Sequence, residues 1–162
     1  MKARPISFSW DFSVTQDGVP LCVLRVAHRR EPEEASFEWA GDDYEIGTIT
    51  IESGLFGRAR GYRLTRNGTK LCGAACYGFD PLVIFEIDRH RYDLFRENTL
   101  RIFFNEAFVL KTDATYAGAE VGAIARARFS WWTDVGLSND LSIPAQIFVL
   151  SAVLLKGQRA DD

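Results

Sequence analysis

The sequence predicts a mainly β protein, an antiparallel barrel or sandwich of roughly ten or more short strands with one apolar helix. Two observations predict the strands. Apolar and polar residues alternate along most of the chain, and turn sequences such as Asp17-Gly18 and Asn67-Gly68 separate the alternating segments. The helix is predicted by the most apolar stretch, LSIPAQIFVLSAVLLKG, at residues 141–157. Strands without intervening helices favour a closed or nearly closed antiparallel sheet.

Length and composition favour a single globular domain over residues 1–162. Of the 162 residues 47% are hydrophobic, which is enough to bury a full core. The net charge of -3 argues against a nucleic-acid binder, which would carry a strongly basic face. We therefore expect no nucleic acid among the partners.

The cysteines and the first residues favour the cytoplasm. Cys22, Cys72 and Cys76 make an odd count, unlike the paired framework of a small secreted domain. Met1–Pro5 runs into an alternating pattern and lacks the apolar region of a signal peptide. We expect a cytoplasmic protein, with peripheral association with a membrane left open.

Period-two alternation defines the predicted strands. The most regular segment is Ile6–Val14, where apolar and polar residues alternate without a break. The other predicted strands are residues 19–27, 36–39, 44–51, 62–66, 69–73, 82–87, 92–95, 100–104, 107–111 and 121–131. Short turns join many of them, so sequential strands are expected to pair antiparallel.

The turn Asn67-Gly68 predicts a register for the hairpin around it. A type I′ turn needs positive φ at both central residues, which Asn-Gly tolerates. The two-residue loop then pairs Arg66 with Thr69 and Leu64 with Leu71. In this register the apolar face consists of Tyr62, Leu64 and Leu71, and the wet face of Arg63, Thr65 and Lys70.

The apolar stretch predicts a helix over about residues 143–156 that is enclosed by the sheet. Pro144 suits the first helical position, Gly157 suits the end, and Lys156 lies at the negative end of the dipole. About 13 residues make a helix of about 20 Å, too short for the roughly 30 Å of a bilayer core. Since apolar residues cover every side, the helix must be surrounded, as in a wide barrel.

Small residues support this arrangement, although a second one stays open. Ala123, Ala125 and Ala127 share one parity of a predicted strand and would leave room for the helix. The alternative is a surface helix that mediates dimerisation.

From Tyr44 onward the motifs run YEIGTITIESGLFGRARGYRLTRNGTKLCGAA, IFEID with YDLF, EVGAIAR, and NDLSIPAQIFVLSAVLL. Their order resembles the tubby C-terminal-like superfamily, especially its bacterial members and its LURP-one-related and phospholipid scramblase branches. The resemblance implies a barrel of about twelve strands closed around the C-terminal helix. It also implies phosphoinositide binding, as in tubby relatives.

The segment TDVGLSNDL departs from the scramblase pattern. Scramblases carry a calcium-associated acidic stretch at this place, whereas here it offers Asp134, Asn139 and Asp140. A calcium ion takes six to eight oxygen ligands, which these side chains do not supply. Scramblase activity is therefore not expected, and calcium binding stays an open question.

Catalytic motifs are lacking, so we expect no enzyme, no cofactor and no metal. The chain has no nucleophile elbow, phosphate-binding loop, dinucleotide fingerprint or zinc-protease motif. His28 and His90 lie beside arginines or at a turn, as solvated histidines do. Glu86 and Asp88 share one strand parity and are a possible carboxylate pair, although exposed acids on an outer face are commoner.

Charge is distributed unevenly. Residues 31–45 hold seven acids and no base, and residues 55–72 hold five bases and no acid. The five bases are Arg58, Arg60, Arg63, Arg66 and Lys70. They predict a site for an anionic lipid headgroup or phosphate on a basic hairpin. The alternative is that the acidic and basic segments pair across neighbouring strands and neutralise each other.

Three functions are consistent with these patterns. The first is a non-enzymatic module that binds an anionic phospholipid or membrane surface through the basic hairpin. The second is a protein-interaction or structural domain without a ligand of its own. The third is a carrier whose barrel holds a small apolar ligand, which requires an interior that the helix leaves open.

Overall fold

A computed structural model describes residues 1–6, 11–27, 34–53, 57–76, 83–97, 105–112, 118–127 and 133–157. The strands are β1 (Lys2–Pro5), β2 (Phe12–Gln16), β3 (Val19–Val26), β4 (Ala35–Trp39), β5 (Asp42–Ser53), β6 (Gly57–Arg66), β7 (Thr69–Cys76), β8 (Val83–Ile87), β9 (His90–Arg96), β10 (Asn105–Thr112), β11 (Glu120–Ala127) and β12 (Thr133–Leu137). One helix follows, α1 (Ile143–Gly157).

The twelve strands form one closed antiparallel barrel in which each strand pairs with its neighbours in sequence. The barrel closes where β1 pairs with β12, with Lys2 opposite Asp134 and Ala3 opposite Thr133. The Met1 amino group donates a hydrogen bond to the Val135 carbonyl at 2.9 Å, which extends this seam. The predicted fold class, a mainly β barrel with a C-terminal helix, is confirmed.

Among the described connections, four hairpins turn through two residues at the same end of the barrel, which we call the turn end. The turns are Asp17-Gly18, Ala40-Gly41, Asn67-Gly68 and Asp88-Arg89, and all eight residues have positive φ. They lie together because alternate connections of an antiparallel sheet return to the same end. The chain also enters α1 from this end, since β12 leads into the helix.

The helix fills the barrel. Every residue from Pro144 to Leu155 is buried, and those from Ile147 to Leu150 have no exposed surface. Phe148 packs edge-on against Phe85 of β8, with ring centroids 5.7 Å apart. The predicted helix is confirmed, and its burial contradicts the alternative of a surface helix for dimerisation.

The two buried polar side chains in the described part of the helix make local hydrogen bonds. Gln146 donates to the Leu141 carbonyl at 2.8 Å, and the Ser151 hydroxyl donates to the Ile147 carbonyl at 2.7 Å. A buried polar group that makes a hydrogen bond avoids most of its desolvation cost. No helix in the described part of the chain is long and apolar enough to cross a membrane.

The prediction of a single strand over Ile6–Val14 is wrong. β1 ends at Pro5, β2 begins at Phe12, and these two residues pair across an antiparallel reversal. The Ile6 amide donates to the Asp11 carbonyl at 2.8 Å within the reversal. Alternation indicates which face of a sheet a residue occupies, and in the sequence it continues from Ile6 to Asp11 without a glycine, proline or asparagine to mark the reversal.

The predicted alanine lining is also wrong. Ile124 is fully buried in the core, so its neighbours Ala123 and Ala125 lie on the outer face of β11, and Ala125 is exposed. Small residues on one parity fit the inside and the outside of a barrel equally well. The side chain of Ala127 and the predicted strand at residues 100–104 lie outside the described residues.

Candidate functional site

The hairpin of β6 and β7 contains a bulge that the sequence did not reveal. Arg66 pairs with Thr69 and Thr65 with Lys70 as predicted, but Leu64 then pairs with Cys72. Leu71 is the extra residue, and it is 39% exposed. The prediction that Leu71 points into the core is therefore wrong, because an extra residue reverses the side-chain alternation.

The four predicted cations whose side chains the structure describes do not form one patch. Tyr62 and Leu64 are buried, so Arg63 between them lies on the outer face, where it is exposed. Arg60 has the inward parity of Tyr62 and is half-buried beside it, opposite Cys76. The Arg58 side chain lies outside the described part of the structure.

The tip of the hairpin is tied to the acidic turn between β4 and β5. The Arg66 guanidinium lies 3.8 Å from the Asp42 carboxylate. Asn67 donates to the same carboxylate at 2.9 Å and accepts from the Asp43 amide at 3.2 Å. The alternative of pairing across neighbouring strands is thus confirmed for Arg66, whose charge is partly neutralised.

Lys70 borders a surface depression between β7 and β8. The depression has a volume of about 260 Å³ and is lined by Lys70, Leu71, Gly73, Glu86, Asp88 and Arg89. Gly73 pairs with Glu86 at its base. A Cβ added to Gly73 would lie 3.8 Å from the Lys70 ammonium, so the lysine side chain extends over the glycine.

Charged side chains that line the depression also act on Cys72 and Tyr92. Burial raises the pKa of the Cys72 thiol to about 11, with the Asp88 carboxylate adding to the rise and the Lys70 ammonium opposing it. Burial also raises the pKa of Tyr92, and Asp88 and Asp140 add to that rise. Within the described residues no ion pair joins Lys70, Glu86, Asp88 or Arg89 to one another.

Other predicted candidates with described side chains are not among the residues that line the depression. Asp134 pairs with Lys2 at 3.6 Å on the barrel seam, and Asp140 accepts a hydrogen bond from Ser138 at 3.0 Å. His90 is exposed at the start of β9, and His28 lies outside the described residues. Across the described ranges no three metal-ligating side chains cluster.

Sequence reasoning missed Leu71, Gly73 and Arg89 as parts of a site. For Arg89 a signal existed, because glycine occupies the second position of the other three turns and arginine occupies it here. For Gly73 the sequence carried no such signal, since its place in the depression depends on the pairing of β7 with β8.

Comparison with known proteins adds no relative. No protein family matches this chain, and no curated protein or solved structure does. The fold defines a closed β-barrel around its own helix, and the resemblance to the tubby C-terminal-like superfamily stays a prediction.

Proposed function

We propose that this protein is a non-enzymatic module that binds an anionic membrane surface with the outer face of the β6–β7 hairpin. The observation that carries the proposal is the bulge at Leu71. It exposes an apolar side chain beside Lys70, on the strand next to the exposed cation Arg63. Cations hold a protein near anionic headgroups, and an adjacent apolar side chain can enter the interface.

The filled interior supports a binding surface on the outside. An apolar carrier needs space inside the barrel, but α1 places Phe148, Val149 and Leu150 there without exposed surface. The carrier hypothesis therefore has no support from the described core. Within the described residues, the outer faces of the strands are where this fold can meet a ligand.

Arg63 and Lys70 determine the expected affinity for an anionic membrane. Each basic residue near an anionic membrane contributes on the order of 1 kcal/mol, so two contribute at most roughly a thirtyfold gain in affinity, which Glu86 and Asp88 near Lys70 reduce. Arg66 contributes less, because Asp42 neutralises part of its charge. The interaction should weaken as salt rises and the Debye length contracts.

Vesicle sedimentation tests the proposal. Wild type should bind phosphatidylcholine vesicles that contain phosphatidylserine at low salt, and Arg63→Ser with Lys70→Ser should reduce binding by up to about thirtyfold. The control is Arg4→Ser with Arg25→Ser, which changes net charge equally at exposed positions of β1 and β3. Equal binding by the two double variants would refute the proposed surface.

A protein-interaction domain is the second candidate. It is favoured by the contacts of Asp42 with Arg66 and Asn67, which fix a rigid surface of mixed charge at the turn end. Failure of wild type to bind any vesicle at low salt would favour this candidate over the membrane module.

A further inference from the structure

The depression between β7 and β8 is electrically balanced. Lys70 and Arg89 supply two positive charges, and Glu86 and Asp88 supply two negative ones. A site with balanced charge has little net attraction for a purely anionic ligand, because attraction and repulsion offset each other. It is complementary to a small molecule that carries both signs.

The Asp88-Arg89 turn, which borders the depression, has an unfavourable backbone conformation. Asp88 and Arg89 have φ of 51° and 65°, and neither is glycine. Left-handed backbone is unfavourable for such residues, and a glycine at position 89 would relieve it. The first residue of each of the other three turns has the same conformation, so the conformation alone does not mark a site; the position of the Asp88 and Arg89 side chains does. Both side chains line the depression.

The size and rim of the depression restrict the ligand further. A volume of about 260 Å³ lies just below the range of drug-sized pockets, so the ligand is a small polar group. Leu71 adds an exposed apolar side chain at the rim. The combination suits a polar headgroup attached to an apolar body.

We propose that the depression binds a phosphate ester that carries a primary ammonium group, the chemistry of an aminophospholipid headgroup. Lys70 and Arg89 would bind the phosphate. Glu86 and Asp88 would bind the ammonium group, and Leu71 would contact the apolar part of the ligand next to it. The inference rests on the proposed function for its lipid source, while free phosphoethanolamine offers the same chemistry without a membrane.

The first test neutralises the two acids with Glu86→Gln and Asp88→Asn, the latter a residue that tolerates positive φ. We compare binding to vesicles of phosphatidylserine and of phosphatidylglycerol, which carry the same net charge; the serine headgroup adds an ammonium and a carboxylate group, and the glycerol headgroup has neither. The variant should bind phosphatidylglycerol more tightly, and the preference for phosphatidylserine should fall about tenfold. An unchanged preference would overturn the inference and leave the proposed function intact.

The second test uses Arg89→Gly, which separates binding from folding. Glycine accommodates the φ of 65° at this position, so the variant should be at least as stable as wild type. Loss of a phosphate-binding cation should nevertheless weaken binding to phosphatidylserine vesicles about tenfold. Full binding by this variant would contradict the assignment of Arg89.

The third test identifies the source of the ligand. Titration of ¹⁵N-labelled protein with O-phosphoethanolamine should shift the amide signals of Leu71 and Gly73, and ethanolamine or inorganic phosphate alone should shift them less. Shifts without vesicle binding would support the depression with a free ligand and refute the membrane function. No shifts and no headgroup preference would refute the inference.

Discussion

Asn67 donates from Nδ2 to the Asp42 carboxylate at 2.9 Å, although 25 positions separate the two residues in sequence. The backbone N–H of Asn67 also donates to the backbone carbonyl of Asp43 at 3.0 Å. The two turns of the β4–β5 and β6–β7 hairpins are therefore joined at the turn end. The tip of the basic hairpin is a fixed structure and not a free cationic loop.

Replacement of Asn67 should measure how much this junction contributes. Asn67→Ala removes the side-chain hydrogen bonds and places alanine at a φ of 48°, so we expect a loss of about 1–2 kcal/mol. Asn67→Gly keeps the backbone unstrained and should lose less. Urea denaturation gives both values, and equal losses would show that backbone strain plays no part.

The turn Ala40-Gly41 should be open to stabilisation. Ala40 has a φ of 54°, which alanine tolerates poorly and asparagine tolerates well. Ala40→Asn should therefore raise the free energy of unfolding by about 0.5–1 kcal/mol. Gly41→Ala is the matched control and should lower it, because Gly41 has a φ of 84°. A stability loss in Ala40→Asn would contradict the turn geometry.

Alkaline pH should destabilise the fold through Cys72. Its pKa is about 11 in the folded protein against an ordinary value of 9.0, so the unfolded thiol ionises first. The protonated Cys72 thiol makes its full contribution to the free energy of unfolding below pH 9. This contribution is lost as the pH rises to 11, at up to about 1.4 kcal/mol per pH unit.

The variant Cys72→Ala tests this dependence. Its free energy of unfolding should fall less steeply than that of wild type between pH 9 and 11, with parallel curves below that range. Parallel curves throughout, measured by urea denaturation at each pH, would show that burial does not shift this thiol.

The helix should be indispensable for folding. Val149 has no exposed surface, so Val149→Asp buries a charge without a partner and should prevent soluble folding. Truncation after Ser142 should do the same by removing the core, whereas Val149→Ala should fold with reduced stability. A truncated protein with native strand content and a cooperative thermal transition would contradict the filled barrel.

Much of the fold was predictable because it follows from local patterns. The turn sequences Asp17-Gly18 and Asn67-Gly68 fixed two hairpins, and an all-round apolar helix required an enclosing sheet. The reversal between Pro5 and Phe12 was not predictable, because its residues continue the alternation of the strands. The bulge at Leu71 was hidden for a related reason, since an extra residue changes register without changing composition.

The site was predicted less well because side-chain placement depends on pairing. Counting from Tyr62 places Arg60 on the inward parity of β6, so this part of the arrangement could be predicted. The neutralisation of Arg66 by Asp42 required knowledge that the two hairpin tips meet. The depression required the pairing of Gly73 with Glu86, a register that the sequence between β7 and β8 does not specify.

The most direct test of the proposed membrane surface is paramagnetic broadening of amide signals on nanodiscs. The nanodiscs contain phosphatidylserine and a lipid with a nitroxide at its headgroup. We expect the strongest broadening at Lys70, Leu71 and Gly73, with weak effects at Arg4 and Arg25 on β1 and β3. Strongest broadening at Arg4 and Arg25, or no difference between the two groups, would contradict the proposal.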